Sequence, residues 1–180
     1  MRRRDFIRYL GLGSVAVTIP EAMHAVPAAA TTLCSDKKTK PISGSWFEFQ
    51  HSAAEGGYWN EALAHFTADQ WRRKVFEIRE VGMEYLVLMG VARAGKPFYP
   101  SKIAPRIPMG CDDPLEAVLS AADECGIKFF VSNDFWGDLD AYNMMLDKGV
   151  QTVRFQAMEE IAERYSHHAC FYGWYFPNAA

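Results

Sequence analysis

The chain has 180 residues, 49% of them apolar, and its 19 Lys and Arg against 22 Asp and Glu leave a formal net charge of −3 at pH 7. A mildly acidic chain without a basic run is not expected to take nucleic acid as a partner. Its N-terminal apolar run, Tyr9 to Pro20, is about twelve residues and broken by glycines, short of the ~20 a spanning helix needs, so no stable membrane anchor is expected.

Residues 1–30 read as a targeting segment. Arg3 and Arg4, then Asp5, then the bulky pair Phe6-Ile7, are close to the twin-arginine export signal. The sequence VPAAA (Val26 to Ala30) follows the apolar run and supplies the small residues a signal peptidase takes, near Ala28 or Ala30. The segment holds four arginines against Asp5 and Glu21, a charge of +2, which leaves −5 on the remainder. The twin-arginine machinery is thus an expected partner, and a periplasmic or extracellular location follows. Cys34 comes after Thr31-Thr32-Leu33, without the small residues that precede a lipid-modified cysteine. The four cysteines, Cys34, Cys111, Cys125 and Cys170, match no zinc spacing. A disulfide is open to an exported chain, but buried small apolar cysteines are the preferred reading.

After a linker over 31–41, the pattern becomes regular. Ile42 to Gln50 is aromatic and β-branched, a strand, and the segment through Asn60 reads as a Gly-containing loop. Thr67 and Gln70 form a capping box ahead of Trp71, Val75, Ile78 and Val81 at helical spacing, with Gly82 at the left-handed end. The continuous apolar run around Tyr85 to Leu88 reads as a strand buried on both faces. Asp113, Pro114 and Glu116 then give a cap, a first-turn proline and an acidic third position, with Leu115, Val118, Leu119 and Ala122 as the inner face and Gly126 as the stop. A third strand runs Ile127 to Asn133. A third helix starts at Val150 with Val153, Ala157, Ile161 and Tyr165 on one side, and a fourth strand runs Cys170 to Phe176.

Helices alternating with buried strands make an α/β protein with a parallel sheet. Nucleotide-binding glycine motifs are absent, and no cofactor is implied. The loops after the strands are long and aromatic while those before them are tight, as in a (β/α)8 TIM barrel, whose site lies at the strands' C-terminal ends. A full barrel takes ~250 residues. Residues 42–180 accordingly read as the first four β/α units, the N-terminal half, with open edges that a homo-oligomer could cover.

In that arrangement the strand ends converge, bringing Glu48, Gln50 and His51, Met89 and Arg93, Asn133, Asp134 and Trp136, and Trp174 and Asn178 to one end. Flat rings beside amides and carboxylates suit a carbohydrate. Glu48 could equally serve a buried cation, and Asn133-Asp134 could simply form an Asx turn. Trp46, Phe47, Phe49, Phe129 and Phe130 read as core. His167-His168 read as a surface or helix-end pair, Glu159, Glu160, Glu163 and Arg164 as a solvated helix face, and no metal site is expected.

The sequences ISGSWFEFQH, WRRKVFEIREVGMEYLVLM, DPLEAVLSAADECGIKFFV and HHACFYGWYFPN resemble a family of exported, glycoside-hydrolase-like barrels catalogued as domain of unknown function 4434, over about Ile42 to Asn178. The resemblance implies kinship with (β/α)8 glycosidases that place an Asn-Glu pair after the fourth strand. Asn178 matches the Asn, but the acid/base position holds Ala179. The second carboxyl would come from a later strand. No complete catalytic pair is therefore expected, and the chain reads as a truncated, inactive half-barrel. A noncatalytic carbohydrate-binding protein and a nonfunctional remnant are the alternatives.

Overall fold

A computed structural model describes residues 40–51, 53–134, 136–137 and 146–176, with the side chains of 53–56 left aside. The expected Arg3-Arg4 signal, Cys34, Asn178 and Ala179 lie outside the described residues. These residues form a mixed α/β fold with four helices and a four-stranded parallel sheet. In chain order the elements are β1 (Gly44–Phe47), α1 (Ala53–Ala64), α2 (Ala68–Glu80), β2 (Tyr85–Leu88), β3 (Ala92–Arg93), β4 (Lys96–Pro97), α3 (Pro114–Cys125), β5 (Lys128–Ser132), α4 (Lys148–Tyr165) and β6 (Phe171–Tyr175).

The sheet order is β1-β2-β5-β6, every pair parallel. Parallel partners share a face, so the register sorts the side chains. Phe47 and Leu88 lie in one row, Leu86 and Phe129 in another, and all four are buried, as is Val131. They join Trp71 and Val75 of α2, Leu115, Val118, Leu119 and Ala122 of α3, and Ala157, Ile161 and Tyr165 of α4 in one core. The opposite face holds Trp46, Val87 and Phe130 in register, with Tyr172 stacked edge-on against Phe130. That face is open: Trp46 is 56% and Tyr172 55% exposed. The expectation of a strand buried on both sides therefore gives way to alternation, Leu86 and Leu88 inside and Tyr85 and Val87 half-buried. Trp46 and Phe130 likewise belong to the open face, whereas Phe47, Phe49 and Phe129 are core.

The helix starts are set locally. Thr67 Oγ1 accepts from Gln70 N–H (3.3 Å) while Gln70 Oε1 accepts from Thr67 N–H (2.8 Å). Asp113 caps α3 through Glu116 N–H (3.0 Å), Pro114 occupies the first turn, and Gly126 closes the helix at φ +71°. Val81, expected on the inner face of α2, is 73% exposed, because the helix has already ended at Glu80. The segment after β1, expected as a loop, contains α1. The long segment after β2 also forms a small antiparallel hairpin, β3–β4, turning through Ala94 (φ +48°) and Gly95 (φ +74°).

Two carboxylates expected to face solvent or only to cap instead join elements. Glu160, read as part of a solvated face, is buried and accepts from Tyr99 O–H (3.1 Å), Ser101 O–H (2.6 Å) and Lys102 N–H (2.7 Å). It anchors the post-hairpin segment to α4, and burial, then the Glu160 charge, pushes the Tyr99 hydroxyl well above its ordinary pKa. Asp113 receives the Tyr165 hydroxyl at 2.8 and 3.0 Å and Arg164 Nη2 at 3.3 Å, joining α3 to α4. Cys111 and Cys170 are buried and Cys125 half-buried, all as free thiols. No described helix is long and apolar enough to cross a membrane.

Replacing Asp113 with Ala removes a cap and the acceptor of a buried hydroxyl, and should lower stability by about 2–4 kcal/mol in urea unfolding. Asp113→Asn, which keeps a capping oxygen, should lose less than half of that. Glu160→Ala strands three donors and should cost about 2–4 kcal/mol on the same measure.

Candidate functional site

The alternation that buries Phe47 and Phe49 against the helices sends the intervening residues elsewhere. Glu48, just past the C-terminal end of β1, is half-buried, with its Oε2 2.5 Å from His51 Nδ1. The His51 backbone is held at both groups by Asn60 of α1: its N–H donates to Asn60 Oδ1 (2.8 Å), and its carbonyl accepts from Asn60 Nδ2 (3.0 Å). Arg93 Nη1, from β3, reaches the same carbonyl at 3.4 Å. Gln50 is buried, and its Oε1 has no hydrogen-bond partner among the described residues.

One residue before Asn60 stands Trp59, 59% exposed, and before it Tyr58, 80% exposed; their rings meet edge to face at 5.3 Å. In the sequence this stretch reads as an aromatic loop, and neither ring stands out as a site residue. The missed signal was the pairing of two adjacent aromatics with an Asn able to clamp the preceding strand end.

At the end of β5, Asn133 and Asp134 are both buried. Arg154 of α4 donates to the Asn133 carbonyl (Nε, 3.4 Å) and side-chain oxygen (Nη2, 3.2 Å), and its Nε lies 3.8 Å from Asp134 Oδ1. Ser132 Oγ accepts from Asp134 N–H at 3.1 Å, so the strand-ending serine holds the backbone there. Asn133 Nδ2 contacts Met158 Sδ at 3.4 Å. These two polar residues thus meet a guanidinium that sequence distance concealed.

The aromatic candidates make contacts of their own. Trp136 is buried, its carbonyl oxygen 3.1 Å from where a Cβ on Gly95 would fall, so a side chain at that left-handed position would be both strained and crowded. Trp174 registers with the buried Val131 and packs on Phe171, ring centroids 5.3 Å apart, against the core. Its neighbour Tyr175 meets Trp46 on the open face at 5.1 Å. The structure therefore brings Glu48, His51, Asn60 and Arg93 together at the end of β1, and Asn133, Asp134 and Arg154 together at the end of β5.

The comparisons with known proteins agree with this architecture. A crystal structure of a protein from Bacteroides thetaiotaomicron VPI-5482, described as a "putative alpha-L-fucosidase", superposes with a TM-score of 0.55 at 14% identity, over 86% of this chain and 46% of the other. The likeness is one of fold, and the chain spans less than half the length of that protein. No curated protein matches the sequence. The model of a domain of unknown function, DUF4434, matches residues 42–180. The chain belongs to the DUF4434 family.

Proposed function

We propose that the protein is an exported carbohydrate-active protein, whose four strands are the first four units of a (β/α)8 glycoside-hydrolase-like barrel and whose strand ends recognise a sugar. The observation that carries this reading is the Tyr58–Trp59 pair. Two large exposed rings on α1 adjoin the residue that clamps His51 against Glu48. A leftover aromatic pair of this size is costly to leave in water, whereas a pyranose face stacks on it while nearby polar groups bond its hydroxyls. The glycoside-hydrolase-like fold supports placing a ligand at this end of the strands.

Recognition is separate from hydrolysis. A retaining glycosidase needs two carboxyls ~5–5.5 Å apart and an inverting one ~6.5–9.5 Å. Glu48 is engaged with His51, Asp134 lies beside Arg154, and position 179 carries alanine where a general acid would follow Asn178. The same position favours, as a second reading, a purely carbohydrate-binding protein. In both readings this chain binds without turning over.

The test is affinity electrophoresis and calorimetry of the chain against a panel of neutral and acidic polysaccharides, with aryl glycosides assayed for release of the phenol. Retention by at least one polysaccharide without phenol release is expected, and Trp59→Ala should weaken binding by about tenfold, the ~1–1.5 kcal/mol of one aromatic contact, at unchanged melting temperature. Affinity for none of the panel would sink the reading. Replacing both Arg3 and Arg4 with Lys should hold the protein in the cytoplasm on cell fractionation; continued export would refute the twin-arginine route.

A further inference from the structure

His168, expected at the surface or at a helix end, is buried between the end of α4 and β6, with a carboxylate at each ring nitrogen. Nδ1 lies 2.7 Å from Asp123 Oδ2 and Nε2 lies 3.1 Å from Glu116 Oε2, both carboxylates from α3. Each carboxylate is itself oriented. Asp123 Oδ1 accepts from Cys170 N–H (2.6 Å), and Glu116 Oε1 accepts from Ser120 O–H (2.9 Å). A neutral imidazole has one N–H and can serve only one of these acceptors. The other nitrogen can meet its carboxylate only with a second proton, or a bound cation, between the two lone pairs.

A second histidine stands at that place. His167 is exposed, its ring 4.2 Å from that of His168, and one ligand atom from each of Glu116, His167 and His168 lies within 4.8 Å of the others. Tetrahedral zinc, with bonds of about 2.0–2.1 Å, holds its ligand atoms about 3.3 Å apart. The Glu116–His168 edge is already 3.1 Å, and His167, being exposed, is the ligand with room to move in. Asp123 behind His168 is the carboxylate that typically fixes the tautomer of a metal-bound imidazole.

We propose that Glu116, His167 and His168 form a site for a zinc-class divalent cation, with Asp123 as the positioning residue behind His168. Two imidazoles and a carboxylate are the donor set of a borderline cation and not of magnesium or calcium. The neighbouring combination of Asp123, His168 and Cys170 is the weaker one. The Cys170 thiol is buried and already donates to the Leu119 carbonyl at 3.2 Å. Held by Glu116 of α3 and by the pair preceding β6, the cation ties a sheet-edge strand to the helix layer, a structural staple remote in sequence from the β1 cluster.

The test uses the untagged full chain, stripped with chelator and dialysed. Calorimetric titration with zinc chloride should show uptake of a single ion, and the melting temperature should rise with zinc and fall back on chelation. Magnesium and calcium should do neither. His167→Ala changes an exposed side chain, so it should leave the metal-free melting temperature alone while weakening zinc binding at least about tenfold. Zinc that gives neither heat nor a shifted melt at millimolar concentration would overturn the site, as would binding indifferent to His167→Ala. In either case the cluster is an imidazolium held between two carboxylates.

Discussion

Trp71 is the pivot on which the rest of the structure is arranged. Three rings close on it, Phe47 from the end of β1 at 6.0 Å, Phe49 beyond it at 5.1 Å, and Phe66 from the turn before α2 at 5.0 Å. Phe47 also meets Phe129 of β5 at 5.8 Å, so the cluster reaches across the sheet. Side chains alternate along a strand, and a slip of one residue would turn every one of them over. Seating Phe47 and Phe49 against Trp71 therefore decides which face of the sheet the helices cover. The buried ring area, several aromatics at ~150–250 Å² each, makes any other register costly.

The chemistry at the end of β1 follows from that decision. With Phe47 and Phe49 turned to the helices, Trp46 and Glu48 are left on the other side, and His51 emerges where α1 can hold it. Asn60 then matters as a backbone tether. By bonding both the N–H and the carbonyl of one residue, it fixes the direction in which the chain leaves the sheet. At β5 the same role falls to a charged group, Arg154, which reaches back from α4 to the residues that end the strand. The ends of β1 and β5 are thus both secured by a polar side chain from a helix that follows.

What could be read from the sequence is what the sequence encodes nearby. The Thr67–Gln70 box and the Asp113-Pro114 start of α3 each lie within four residues, and both form as read. The strands and the inner faces of α3 and α4 were legible through periodicity. By contrast, α1 contains Gly56, Gly57 and an exposed aromatic pair, with no apolar stripe to announce it; its tie to the fold is the Asn60–His51 pairing, nine residues apart. Glu160 looked solvated because Glu159 and Glu163 are. Its partners at Tyr99, Ser101 and Lys102 lie some 60 positions away. The burial of His168 is hidden for the same reason, since the carboxylates at its ring belong to α3.

The order of the strands carries a further consequence, for how the chain acquires its shape. In the sheet β1-β2-β5-β6, every strand neighbours the one that precedes it in the chain, apart from the detour of the small hairpin. No pairing has to wait for a distant terminus, and each closure spans one crossover, so the entropic penalty is met in modest steps. As the polypeptide emerges during synthesis, β2 can dock on β1 with α2 already laid across them, and each later unit finds a finished template. The same sequence of events keeps the newest strand unpaired on its outer side until the following one arrives. Vectorial assembly thus gives speed at each step, and at every stage it leaves one growing end on which a neighbouring chain could add instead.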